Sequence, residues 1–186
     1  LYGYPDDNER FAFFCKSVLD MLNVIDFFPD IIHCNDWQTG LVCMFLKESY
    51  RKLTYYSKIK TLFTIHNLQY QGVFGGNTIE LLEMPEKCFG VDGCEFFGQV
   101  SYMKAGLNFA DRISTVSNTY AAEIQTPRYG YGLDGVLRAK SNILSGIVNG
   151  IDYDVNNPAT DNKIYKNFDV NNLDGKLENK FELQKE

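Results

Sequence analysis

Apolar residues recur at steps of three and four from Phe11 through Phe14, Val18 and Leu22 to Ile25, which predicts a helix over about residues 8–26 with that stripe buried. The stretch FFPD ends it, because the residue before Pro29 is pushed away from helical angles. DIIHC then reads as a short buried strand, and Leu41, Met44, Phe45 and Glu48 return to helical spacing. KTLFTI, residues 60–65, is β-branched and apolar, a second buried strand, and a glycine loop, QGVFGGN, follows it. Further on, 98–111 reads as a helix, 112–117 as a third strand, NTYAAEIQT as a helix stopped by Pro127, and LDGVLRA as a short helical turn. Residues 143–150 read as a fourth strand, and 173–185 as a C-terminal helix with Leu177 and Phe181 on one side. Between these last two, the Asn- and Asp-rich residues 154–172 read as a surface connection.

Strands alternate with helices, and the strands are continuous apolar runs. That combination predicts an α/β fold with a parallel sheet covered by helices on both faces. In such sheets ligands bind beyond the carboxyl ends of the strands. The unusual polar residues collect there: Asn35, Asp36 and Trp37 after the first strand, His66 and Asn67 after the second, Ser117 and Asn118 after the third, Asn149 and Gly150 after the fourth. The chain has two histidines and one tryptophan, and the pattern puts all three at strand ends, which favours one shared site.

Each residue also has a plain structural role. From the residues alone, Asp36 reads first as an N-cap for the following helix. His66-Asn67 fits a strand-ending turn as well as a site, and Trp37 fits a core aromatic as well as a pocket wall. Asn149-Gly150 has the form of a tight turn that needs positive φ. QGVFGG lacks the GxGxxG order of a phosphate cradle, and neither a Walker motif nor GxSxG occurs.

Composition narrows the classes. With 186 residues and 45% hydrophobic content the chain is long and apolar enough for one domain with a sizeable core. A net charge of −6 without a Lys/Arg cluster argues against a nucleic-acid or anionic-membrane surface. The apolar runs are too short to span a bilayer, and no signal peptide is visible, although the chain opens at Leu1 and not at Met. Five cysteines without a CxxC pair, and no Asn-x-Ser/Thr sequon, point to reduced, mostly buried thiols in a cytoplasmic protein. Cys34 with His33 or His66 matches no zinc spacing.

Five stretches carry a family resemblance: YGYPDDNERFAFF, DIIHCNDWQTGLV, TIHNLQYQGVF, GQVSYMKAGLNFADRISTVSNTYAAEIQTPRYGYGLDGVL and SGIVNGIDYDVNNPATD. Together they resemble the bacterial glycogen synthases and plant starch synthases along nearly the whole chain. The resemblance implies the N-terminal, acceptor-side half of a GT-B fold, a Rossmann-like domain of a retaining glycosyltransferase. It implies transfer of glucose from ADP-glucose to the non-reducing end of an α-1,4-glucan. On the family's motifs, Asp36 and Trp37 match the Asp-Trp beside the acceptor, and His66 matches the histidine against the transferred glucose. Asn67 follows it in the same motif, and Asn149 matches the Asn of the VNG loop.

The resemblance thus implies catalytic roles for His66 and Asp36 and substrate contacts for Trp37, Asn67 and Asn149, with no metal and no cofactor. It also implies parts outside residues 1–186: a Lys-Thr-Gly-Gly phosphate loop and a second, nucleotide-sugar domain that makes most donor contacts. The isolated chain is accordingly expected to be inactive. Cys43 and Asn118 stand where the family has prolines, and Asn156 where Trp is common, departures that touch loop geometry and no proposed catalytic residue. Another GT-B glycosyltransferase and a non-catalytic glucan-binding fragment remain the alternatives. A nicotinamide-binding Rossmann domain is disfavoured by the missing glycine fingerprint.

Overall fold

The computed structural model describes residues 2–75 and 77–186; Leu1, and Gly76 of the glycine loop, lie outside the described residues. The chain forms two compact units, residues 1–148 and 149–186, each described here by itself.

The first unit opens with α1 (Asp7–Val24), whose first turn carries Asp7 and Glu9, where negative charge suits the helix dipole. Asp7 is buried; one carboxylate oxygen accepts the N–H groups of Gly3 at 2.5 Å and Tyr4 at 3.2 Å, and the other faces Arg10 at 3.4 Å. The buried face of α1 is Phe11, Ala12, Cys15, Leu19 and Leu22, whereas Phe14 and Ile25 are exposed. The expected stripe is therefore rotated. The FAFF run is apolar around most of the helix, so the spacing fits two phases. The phase adopted sets the small Cys15 against the backbone of Leu41 and Val42.

Those two residues belong to α2 (Gly40–Glu48), which lies between the strands β1 (Ile31–Asn35) and β2 (Lys60–Ile65) in sequence. After β2 come β3 (Val73–Phe74), α3 (Thr78–Leu81), β4 (Glu95–Phe96), β5 (Gln99–Ser101) and α4 (Tyr102–Phe109). The unit ends with β6 (Arg112–Thr115), α5 (Asn118–Glu123), α6 (Asp134–Ala139) and β7 (Leu144–Gly146). The main sheet is parallel with the order β1-β2-β6-β7. Strands added in one direction by right-handed crossovers receive their connecting helices on one face. Accordingly α2 and α4 pack together over Cys34, Phe63, Ile65 and Ile113, all buried. On the opposite face Ile31, His33, Lys60 and Arg112 are exposed; a crossover helix there needs a reversal of strand order that these four strands do not make.

Two glycines permit the close stacking of this layer. A Cβ on Gly40 would stand 1.9 Å from the Tyr102 carbonyl oxygen, and one on Gly106 would stand 2.5 Å from the Phe63 ring.

The helix expected over 98–111 begins later, because Gln99–Ser101 pair as a strand in a small antiparallel sheet, β3-β5-β4. Phe97 (φ 50°) and Gly98 (φ 78°) form the two-residue turn of its hairpin, with both residues at positive φ as a type I′ turn requires. Phe-Gly is a weak turn signal beside Asn-Gly, so the hairpin was not legible. Ser101 then caps α4, accepting the Lys104 N–H at 3.1 Å.

Asp111 joins the start of β6 to β2. Its carboxylate accepts the Thr61 N–H at 2.9 Å and pairs with Arg51 at 2.5 Å. Burial works against the charged form, but these contacts prevail and hold the carboxyl below the usual aspartate range.

In the second unit the Asn/Asp-rich stretch is a series of local turns. Side-chain oxygens of Asp152, Asn157, Asp161, Asp169 and Asn172 each accept a backbone N–H two residues on. The helix α7 (Asp174–Leu183) follows, with Leu177 and Phe181 exposed on it. The tight turn expected at Asn149-Gly150 is absent: neither residue has positive φ, and the chain there has no regular structure.

Gly40→Ala should destabilise the chain by about 1–3 kcal/mol through overpacking against fixed backbone. Gly135→Ala, in α6 with its nearest neighbour the Arg138 guanidinium at 3.8 Å, should stabilise it by about 0.4–1 kcal/mol. Urea titrations of both variants read the difference. Asp111, with its folded pKa depressed, contributes stability above the unfolded value of about 3.9, which is lost as the pH falls through the folded pKa. Asp111→Asn should therefore be less stable than the parent at pH 7, and the gap should narrow below about pH 4; equal gaps at both pH values would show that the ionised form adds nothing.

Candidate functional site

The register of β1 on β2 pairs Asn35 with Thr64, so the two strands end level with each other. One further bond, Asp36 N–H to the Thr64 carbonyl at 2.9 Å, carries the pairing past the last strand residue. Asp36 then turns with φ 56° and ψ −177°, a region close to glycine-only backbone. Its side chain makes no cap to the short 3₁₀ turn Trp37–Thr39 that follows. Instead Oδ1 accepts the backbone N–H of His66 at 2.8 Å. The N-cap role expected from the sequence is thus replaced by a link between the two strand ends. Thr39 Oγ1 donates to the Asn35 carbonyl at 2.8 Å and closes the turn from behind.

His66 is exposed, and its Nε2 lies 3.0 Å from Asn35 Oδ1. Asn67 is exposed; its Oδ1 accepts the Gln69 N–H at 3.0 Å, so the strand-ending turn is present at the same residue. The next residue, Leu68, donates its N–H to the Tyr120 hydroxyl at 3.1 Å. Farther along, the Gln71 carbonyl accepts Met103 N–H at 3.0 Å, and the Gly72 carbonyl accepts Tyr102 N–H at 3.0 Å. The loop carrying His66 and Asn67 is therefore fastened to β1, α5 and α4.

Trp37 is 5% exposed. Its ring meets Phe11 edge-on with centroids 4.8 Å apart and Phe74 at 5.7 Å. A Cβ on Gly72 would sit 2.3 Å from the indole, so only glycine fits there, at φ 56°. Trp37 is a core aromatic that also lines a concavity of about 490 Å³ with Tyr2, Tyr70, Gln71 and Tyr131. A slightly larger concavity, about 510 Å³, lies at the amino ends of β1, β2 and β6, where it meets Ile31, Lys60 and Arg112. None of the candidate residues lines that one, and the carboxyl-end concavity is the one beside the polar cluster.

The structure brings Asp36, His66 and Asn67 together at the ends of β1 and β2, with Trp37, the residue after Asp36, buried in the core. Asn149 is exposed and belongs to the second unit. His33 is the third residue of β1 and not at its end; its Nε2 meets Thr64 Oγ1 at 2.7 Å, which meets Ser114 Oγ at 2.6 Å, a polar ladder across the sheet. The sequence places Asn35 in the polar run at the end of the first strand but assigns it no role, and it does not single out Tyr120 at all. Asn35 stood next to Asp36 in the same polar run, but simple strand alternation would aim the two side chains apart.

The chemistry on offer is positional. The cysteines are free and buried. Burial pushes the Cys15 thiol up to about 12 and that of Cys94 to about 11, which makes both poor nucleophiles. Lys104 is buried, its Nζ donating to the Glu95 carbonyl at 2.6 Å, and desolvation lowers its pKa. At the strand ends there remain a carboxylate with one oxygen engaged, an imidazole and an amide, all on fixed backbone. Such a set can hydrogen-bond and orient a polyhydroxylated ligand.

A family model for the starch synthase catalytic domain matches residues 1–139. The glycogen synthase of Clostridioides difficile is 53% identical over 185 residues, which cover 99% of this chain and 38% of the relative. That of Thermotoga maritima is 51% identical over 186 residues, with 100% and 38% covered. Among solved structures, the catalytic domain of starch synthase IV from Arabidopsis thaliana, bound to ADP and acarbose, superimposes with a TM-score of 0.80 at 35% identity, covering 99% of this chain and 38% of that one. The chain thus spans a little over a third of the length of these relatives. With its parallel sheet and its clamped His66 loop, it belongs to the family of starch synthase catalytic domains.

Proposed function

We propose that residues 1–186 are part of the acceptor-side domain of a glycogen or starch synthase, which transfers glucose from ADP-glucose to the non-reducing end of an α-1,4-glucan with retention. The observation that carries this reading is the pinning of His66 to Asp36 at the carboxyl ends of adjacent parallel strands. The starch synthase IV neighbour, bound to ADP and acarbose, supports a nucleotide and a glucan-like ligand for this type of site. Asp36, His66, Asn67 and Trp37 include no fixed cation to neutralise a leaving diphosphate. Donor phosphates therefore belong to parts outside this chain, including the nucleotide-sugar domain, and the chain alone binds glucan without transferring glucose.

His66 binds the transferred glucose and holds it against the acceptor. Asp36 uses one oxygen on the His66 backbone; the other orients the acceptor hydroxyl or balances positive charge developing at the sugar. Attack and departure on the same face, through an oxocarbenium-like transition state, need positioning and charge stabilisation more than a nucleophile. Trp37, being buried, supports the acceptor groove by packing. Asn149 contributes a substrate contact from the VNG segment. No metal or cofactor enters this reading. No helix of the described residues is long and apolar enough to cross a membrane, and the net charge of −6 offers little to nucleic acid. A cytoplasmic location is part of the glycogen synthase reading itself.

The deciding experiment extends the chain at both ends to the length of its relatives and assays glucose transfer from ADP-glucose and from UDP-glucose. In that longer protein His66→Ala and Asp36→Ala should each lower kcat on the order of 100-fold while leaving the melting transition cooperative. Retained activity in both variants would sink the assignment. In the 186-residue chain, the sole tryptophan should change its emission saturably with maltooligosaccharides and respond little to ADP-glucose. A response to ADP-glucose alone would reverse the division of labour between the two halves.

A further inference from the structure

Residues 35 and 36 are consecutive, yet both reach residue 66. In a strand, successive side chains point to opposite faces, so two neighbours do not ordinarily serve one partner. The turn at Asp36, with φ 56° and ψ −177°, breaks that alternation. It allows Asp36 Oδ1 to take the His66 N–H at 2.8 Å while Asn35 Oδ1 stands 3.0 Å from the ring Nε2. Held at one point only, the exposed ring would still rotate about its side-chain bonds. Held at the backbone and at Nε2, it has one orientation. Strain of this kind persists where the surroundings over-determine it.

We propose that Asn35 is a positioning residue for His66: its side-chain oxygen accepts the Nε2–H, fixes the ring, and selects the tautomer in which Nδ1 is the free acceptor. Nδ1 has no hydrogen-bond partner among the described residues. A ring so fixed presents a lone pair, which accepts from a sugar hydroxyl and does not donate to it. The tautomer choice stands on this geometry alone; its consequence for transfer rests on the synthase reading above.

Histidine-selective ¹⁵N labelling tests the tautomer directly, because the chain has only two imidazoles to assign. Spectra are taken at a pH well above the imidazole titration. The parent chain should show His66 as a single Nε2-protonated form. Asn35→Leu, similar in size and without an acceptor, should give the averaged shifts of a free imidazole. Asn35→Asp, which keeps an acceptor oxygen, should restore the single form. A parent ring protonated at Nδ1, or shifts that Asn35→Leu leaves unchanged, would overturn the proposal.

In the longer protein Asn35→Leu should lower kcat by about ten- to a hundredfold with the KM for glucan within about twofold, and Asn35→Asp should recover most of the loss. An unchanged kcat in Asn35→Leu would overturn the positioning role. A longer protein whose parent form transfers no glucose would sink the synthase reading instead, and the spectra would still decide the tautomer.

Discussion

One hydrogen bond, from the His66 N–H to Asp36 Oδ1 at 2.8 Å, joins the ends of two neighbouring parallel strands, and the candidate site is arranged around it. It exists because the register sets Asn35 opposite Thr64, so that residues 36 and 66 emerge beyond the sheet at nearby levels. A slip of one residue would turn every side chain of β1 to the other face and separate the pair. The register is in turn held by packing: Cys34 and Phe63 are buried on the face that α2 and α4 cover. Gly40 and Gly106 let those helices approach each other and the sheet. The chain of cause runs from two glycines and a few apolar strand residues to the placement of one imidazole.

Much of this was legible in the sequence where a single physical signal dominated. KTLFTI is continuous, β-branched and bounded by polar residues, and the strand occupies those residues, Lys60–Ile65. The alternation of strands and helices gave the parallel sheet. Legibility failed where two signals were equally good. The α1 stripe had two apolar phases, and the choice between them came from how closely Cys15 could approach α2, a tertiary fact. The β4–β5 hairpin hid behind a Phe-Gly turn whose positive φ values no residue pattern announced.

At the site the sequence named the right cluster and misjudged how one member works. An aspartate directly before a helical segment reads as an N-cap because most such aspartates accept a free N–H of the helix. Here the backbone angles of Asp36 carry its side chain across to the neighbouring strand end instead, and the 3₁₀ turn is left without a side-chain cap. Local propensity yielded to a contact 30 residues away in sequence. A local rule broken without local benefit is what a functional constraint looks like. The resemblance pointed to Asp36 and His66 by motif. The geometry adds that they touch through carboxylate and backbone, not through the imidazole ring, so they do not form a proton-relay pair.

The loop after β2 shows why such a contact would suit the proposed transfer chemistry. Backbone groups outside regular structure usually turn to water. Between His66 and Gly72 many find protein partners: His66 N–H on Asp36, Leu68 N–H on the Tyr120 hydroxyl, Gln69 N–H on Asn67, and the carbonyls of Gln71 and Gly72 on the N–H groups of Met103 and Tyr102. Gln71 adds a side-chain bond from Nε2 to the Tyr131 carbonyl at 3.0 Å. A loop fastened to this extent gives up most of its conformational freedom on folding, before any ligand arrives. On the proposed reading, binding then need not order it, and the affinity of weak sugar contacts is not spent on loop ordering. The buried Trp37 fits the same scheme: wedged against Gly72 and Phe11, it stiffens one wall of the concavity beside the loop, where an exposed ring would trade that rigidity for surface contact. The fold thus fixes the backbone of His66 and leaves its side chain and that of Asn67 exposed, which is what the proposed ligand contact requires.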